Sequence, residues 1–273
     1  MFKWFASWQA RVAPAILPDG AGAGAASTDT PLHFEKVANA RDLGGLTGAG
    51  GRRLRSGRLL RSGNPGLASA DDIARLRALS LDLVVDFRSP GEKSAEESGF
   101  GQVFHWVATP VLEGSMAMGE LLPRLRTATA REMDDFMLQV YRDFPLKYQE
   151  AFGGFMKHAE AGRSMLYHCT AGKDRTGFAT LLLLSALGVA PDVIEANYLE
   201  SNRWNAAFIQ GVLQKMAPLG IAAEVMMPLL EVKPAYLQAS LQAIEEGWGS
   251  VPAYVGTALS VEAEQLRAHY LEG

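Results

Sequence analysis

Residues 167–177 read YHCTAGKDRTG, and the only cysteine of the 273-residue chain, Cys169, stands in this stretch between a histidine and a run holding two glycines, a lysine, an aspartate and an arginine. Upstream, RSMLYHC (163–169) is a short apolar run of strand length. Downstream, TGFATLLLLSALG (176–188) is apolar nearly all round, as expected of a helix packed inside a fold and stopped by Gly188. A strand that turns through a glycine-containing loop into a buried helix is an α/β unit. The successive N–H groups of such a loop curl toward one point at the helix N-terminus, which makes that point an anion site.

The same reading extends along the chain. LDLVVDFRSPGE (81–92) predicts a buried strand that ends at Ser-Pro-Gly and delivers Asp86 and Arg88 to a sheet edge, and VFHWVATP (103–110) predicts another. Met133, Phe136, Met137, Val140, Tyr141 and Phe144 recur at helical spacing, as do Tyr148, Phe152, Phe155, Met156 and Ala159, the second helix stopping at Gly162. Beyond Pro191 the pattern is almost wholly helical. These elements predict an α/β fold with a central, mostly parallel sheet flanked by helices and a helical C-terminal part.

PDGAGAGAASTDTP (18–31) has the composition of a linker, so residues 1–31 are expected to form a tail and linker and 32–273 a single domain. At the start, Gln9 and Arg11 interrupt an apolar run whose Phe5, Trp8 and Val12 fall at helical spacing, and a short helix docking on the body is expected in preference to an export signal. No stretch approaches the ~20 apolar residues of a membrane span. A formal charge of -4 and the lack of a basic-aromatic platform argue against nucleic acid as a partner. A lone cysteine calls for no oxidising compartment, and a cytoplasmic location is expected.

Two readings of Cys169 compete, buried filler and reagent. Arg175, six residues on, decides for the reagent: its planar fork takes two oxygens of a phosphoryl group while the loop and helix field favour a thiolate on Cys169. Thr170, Ala171, Gly172, Lys173, Asp174, Arg175 and Thr176 would then cradle a phosphate ion, and Cys169 would attack in line to form a phosphocysteine. The Thr176 hydroxyl is positioned to donate to the sulfur. No metal or cofactor is needed.

Cys-x5-Arg in HCTAGKDRTG resembles the phosphate-binding loop of the protein tyrosine phosphatase superfamily, in the bacterial and fungal branch whose loop carries Ala-Gly-Lys-Asp between cysteine and arginine. NARDLGG (39–45), LRSGRLLRSG (54–63), VVDFRSPGE (84–92) and YLQASLQAIEEGWGSVPAYV (236–255) are similar to that branch too. The resemblance implies a dephosphorylating hydrolase acting on phosphotyrosine in proteins, with dual specificity toward phosphoserine or phosphothreonine and activity on phosphoinositides as wider possibilities. A catalytically silent phosphate-binding module and a rhodanese-like sulfur carrier are the alternatives of other classes.

The Trp-Pro-Asp acid of classical members is absent from this sequence. Asp174, inside the loop, and Asp86, at a strand end, compete for the role of general acid. Asp174 is preferred because its place needs no lid movement and the resemblance implies catalytic weight there; Asp86 has the alternative of bracing an arginine. Lys173 is a candidate for a second substrate phosphate. Arg41, in the loop that the RDLGG resemblance turns toward the site, is a candidate for substrate binding. It opens a segment with six arginines and one acid, whose alternative reading is a solvated hairpin. Residues 112–144, with Met116, Met118, Met133 and Met137, read either as a helical lid or as core.

Overall fold

The computed structural model describes residues 30–94, 97–112 and 118–273. Its strands are β1 (Thr30–Pro31), β2 (Arg41–Asp42), β3 (Leu59–Ser62), β4 (Leu83–Asp86), β5 (Trp106–Ala108) and β6 (Met165–His168). They form one sheet in the order β1-β2-β3-β6-β4-β5, with β3, β6, β4 and β5 parallel and the two short strands β1 and β2 antiparallel at one edge. The sheet is therefore mixed, its parallel part being the four strands that the site uses. Pairing of Thr30 and Pro31 with β2 carries the domain slightly upstream of residue 32. The rest of the expected tail and its short helix lie outside the described residues.

The helices are α1 (Ala70–Ala78), α2 (Met118–Leu125), α3 (Ala130–Lys147), α4 (Gln149–Glu160), α5 (Asp174–Ala186), α6 (Pro191–Trp204), α7 (Ala206–Met216), α8 (Ala223–Leu230), α9 (Pro234–Trp248) and α10 (Ala263–Tyr270). Local sequence starts several of them. Ser69 and Asp72 close a capping box at α1, and Thr129 and Glu132 close another at α3, each satisfying amides that the first turn leaves without partners.

Side-chain alternation along the strands divides the core. Leu59, Leu83, Val85, Met165 and Tyr167 face the larger cluster, where Phe144 of α3, Phe152 and Phe155 of α4 and Phe178 of α5 pack. Leu60, Val84 and Leu166 face the smaller one, closed by Phe34, Val37, Leu76 of α1 and Phe100. Strands buried on both faces read as continuous apolar runs, which is why LVV and MLY carry no polar alternation.

Met133 and Met137 sit fully inside the larger cluster, so where α3 covers the expected lid the methionine stripe is core. Met116 and the side chain of Met118 lie outside the described residues. No helix among the described residues is long and apolar enough to cross a membrane.

Register sets the level of the site. Ser62 and Asp86 both pair with His168, so the parallel strands finish together at the edge from which the Cys169 loop departs. A crevice beyond the carboxyl ends of parallel strands is where α/β sheets place their ligands.

Candidate active site

The loop from Cys169 to Lys173 is shaped from outside. The amide of Asn64 donates to Thr170 O at 3.0 Å. Asn39 Nδ2 donates to Ala171 O at 3.0 Å and Gly172 O at 2.9 Å, Asn205 Nδ2 to Ala171 O at 3.1 Å and Arg61 Nη2 to Gly172 O at 2.8 Å. His168 Nδ1 lies 3.1 Å from Cys169 O, a contact that calls for the Nδ1–H tautomer. In a trans peptide the carbonyl of one residue and the N–H of the next point in opposite directions. Carbonyls tied outward from Cys169 to Gly172 therefore turn the N–H groups of Thr170, Ala171, Gly172 and Lys173 to the concave side. The first amides of α5, which have no intrahelical acceptor, join them there.

Gly172 is required at its place. Its φ is +67°, and a Cβ would stand 2.4 Å from the carbonyl carbon and oxygen of Ser62. Only the residue without a side chain lets the loop lie on the end of β3.

Cys169 is 2% exposed at the start of this loop. Arg175 is held behind it: Nη1 donates to Glu92 Oε2 and Nη2 to Glu92 Oε1, both at 2.7 Å, and Nη1 also faces the carbonyls of Phe87 and Val111 at 3.4 and 3.3 Å. Glu92 thus takes the end-on edge of the guanidinium. The side edge formed by Nε and Nη2 is the one left for a bidentate anion. Burial works against the Glu92 charge, but Arg175 and hydrogen bonds from Thr170 Oγ1 and the Ser89 amide outweigh it and bring its pKa down to about 2. The Thr176 hydroxyl is buried and has no hydrogen-bond partner among the described residues.

Asp174 opens α5 with its side chain 13% exposed, and Lys173 Nζ contacts its Oδ1 at 2.9 Å and its Oδ2 at 2.7 Å. Tyr141 of α3 donates to Oδ1 at 2.8 Å. The Lys173 side chain is 4% exposed and also faces Glu231 O at 3.5 Å, so its ammonium is occupied by Asp174 rather than presented to a second phosphate.

Two sequence expectations are corrected here. Asp86 is wholly buried, accepting from Arg88 Nε and Nη2 at 3.0 Å each, with Lys93 Nζ at 3.2 Å. Burial opposes its charge, but His168, Arg88 and Lys93 outweigh that and hold it below the usual carboxylate range. Since burial pushes His168 itself down to about 4, Arg88 and Lys93 are the charges that act on Asp86 at neutral pH. A buried carboxylate locked in its ionised form has no proton to give, and Asp86 takes its bracing alternative. Arg41 is also fully buried, donating to Asn197 O at 2.5 Å, Asn39 Oδ1 at 3.0 Å and Ser201 Oγ at 3.1 Å. It supports Asn39 from behind the loop and faces no substrate. The arginine-rich segment divides by burial: Arg41 and Arg61 are buried, Arg58 is half-buried, and Arg52, Arg53 and Arg55 are exposed.

Sequence reading passed over Asn39, Arg61, Asn64, Glu92, Tyr141 and Asn205 as members of the site. One signal was legible: Ser-Pro-Gly-Glu is a capping-box spacing, and Ser89 and Glu92 form that box while Glu92 also holds Arg175. Asn39 and Arg61 lie in NARDLGG and LRSGRLLRSG, stretches that the resemblance marks, whereas Asn64, Tyr141 and Asn205 act through contacts distant in sequence.

The chain is 61% identical, over the full length of both proteins, to a Cupriavidus necator protein provisionally named a tyrosine-protein phosphatase. It is 33% identical over 241 residues to the triple specificity protein phosphatase PtpB of Mycobacterium tuberculosis, covering 75% of this chain and 87% of that one. Among solved structures, TpbA of P. aeruginosa aligns over 85% of this chain and 89% of its own with 17% identity and a TM-score of 0.28, a likeness too weak to add to the fold. The model of the tyrosine phosphatase family matches residues 32–272. With the Cys169 loop and the Glu92-braced Arg175 inside that span, the chain is a phosphatase that belongs to the tyrosine phosphatase family.

Proposed function

We propose that this phosphatase hydrolyses phosphotyrosine through a phosphocysteine on Cys169. The observation that carries the reading is the set of outward-tied carbonyls from Cys169 to Gly172, which supports a ring of inward amides around the sulfur. The Cys169 thiolate attacks phosphorus, the S–P bond forming as the P–O bond to the aryl oxygen breaks. The electron pair leaves on that oxygen, which takes a proton from Asp174. Water then attacks phosphorus and gives a proton to the Asp174 carboxylate, the S–P pair returns to sulfur, and inorganic phosphate departs. Arg175 holds two equatorial oxygens through its Nε–Nη2 edge, and the unpartnered Thr176 hydroxyl is the donor for the sulfur as leaving group.

A range wider than phosphotyrosine is supported by the triple specificity in the name of the M. tuberculosis relative. The phosphoinositide reading draws less support, because Lys173 is engaged by Asp174. Acid quench of the enzyme turning over a labelled phosphotyrosyl peptide should trap label on Cys169, and Cys169→Ser should bind phosphate without turnover. Hydrolysis that survives in Cys169→Ser would overturn the reading. Binding with no turnover in the wild type would favour the silent module.

A further inference from the structure

Three hydroxyl and carboxyl groups from separate elements form a line ending on Asp174, the first residue of α5. Tyr198 of α6 donates to the Tyr141 hydroxyl at 2.8 Å, and Tyr141 of α3 donates to Asp174 Oδ1 at 2.8 Å. Both phenols are buried, at 1% and 0% exposure. Burial raises the pKa of each well above the ordinary tyrosine value, so both remain protonated donors. The direction of the line is fixed, because the Tyr141 oxygen already receives the Tyr198 proton and its own O–H has Asp174 as acceptor.

We propose that Tyr141, backed by Tyr198, is a positioning residue that selects which oxygen of Asp174 carries the catalytic proton. Oδ1 accepts from both Tyr141 and Lys173, whereas Oδ2 meets Lys173 alone. The proton of a neutral Asp174 therefore resides on Oδ2, and Tyr141 turns that oxygen toward the leaving group. Once Asp174 has given up its proton, the same phenol stabilises the carboxylate without adding a charge to a site that already holds Lys173 and Arg175. The hydroxyl acts on Asp174 and touches no reacting atom. The inference rests on the reading of Asp174 as the acid.

Leaving-group dependence separates positioning from packing. An acid matters most when the departing oxygen is basic, so kcat/KM on phenyl phosphate and on 4-nitrophenyl phosphate is compared for wild type, Tyr141→Phe and Asp174→Asn. A hydrogen bond to a charged group is worth about 1.5–3 kcal/mol, so Tyr141→Phe should lose about tenfold or more on phenyl phosphate and clearly less on 4-nitrophenyl phosphate. Equal losses on both esters, or none, would overturn the inference. Should Tyr141→Phe fail to fold by circular dichroism, Tyr198→Phe decides by the same ratio, an unchanged ratio being the overturning result. If Asp174→Asn itself shows no added dependence on the leaving group, the acid assignment fails, and Tyr141 with it. If Asp174→Asn shows the dependence and Tyr141→Phe does not, only the positioning role is lost.

Discussion

Glu92 shows how much one side chain can decide. Its carboxylate spans Arg175 and Thr170 and thereby joins the two ends of the anion loop. Removing one member of a buried pair typically costs about 3–5 kcal/mol, and the 19% exposure of Glu92 places Glu92→Gln toward the lower end. We expect a lower denaturation midpoint and a fall in kcat/KM, read by urea titration and steady-state kinetics. The pH dependence has a definite sign. His168 is lowered from 6.5 to about 4 and Glu92 from 4.5 to about 2, so in both cases the unfolded chain binds protons that the folded one refuses. The contribution of these two groups is complete above pH 6.5, declines through His168 as pH falls toward 4, and declines through Glu92 between 4.5 and 2. Urea unfolding followed across this range should show the lower part of the decline flatten in Glu92→Gln.

The loop between β6 and α5 works as an element because three other segments hold its carbonyls. Asn39 reaches two of them, and Asn39→Ala leaves each with a single donor, Asn205 on Ala171 O and Arg61 on Gly172 O, a loss of about 0.5–1.5 kcal/mol per hydrogen bond removed. The amides then lose their common aim, and binding of vanadate, measured by calorimetry, should weaken about tenfold or more. Gly172→Ala is harsher. A methyl 2.4 Å from the Ser62 backbone forces the loop off β3, and both vanadate binding and turnover should vanish while far-ultraviolet dichroism stays close to wild type.

For the molecule as a whole, α5 links the core to the chemistry. Phe178, on the same helix as Arg175, stacks on Phe144 at 5.4 Å between ring centroids and meets Phe152 edge-on at 4.7 Å. Phe178→Ala opens a cavity beneath the site and should cost about 3–5 kcal/mol of stability by urea denaturation. The exposed Leu219 provides the control, since Leu219→Ala should leave the midpoint nearly unchanged.

Much of this was legible in the chain order. The strands at 83–86 and 165–168, the core stripes of α3 and α4, the buried α5 and the loop that carries Cys169 and Arg175 all follow from local patterns, because periodicity and turn chemistry act over a few residues. Arg41 and Arg61 looked alike with Arg52, Arg53 and Arg55, and nothing local distinguishes a guanidinium that holds a loop from one in water. Asp174 was the preferred acid with Asp86 its rival, and nothing local shows that Asp86 is buried beside Arg88 while Asp174 stays partly exposed beside Tyr141. The sequence by itself thus determined the loop of Cys169 and Arg175, the helix that follows it and the sheet that presents them, since these are written in contiguous residues. Only the tertiary structure decided which charges are free to act, because solvation and partners at 33 to 136 residues' separation set that, as with Tyr141 on Asp174 and Asn197 on Arg61.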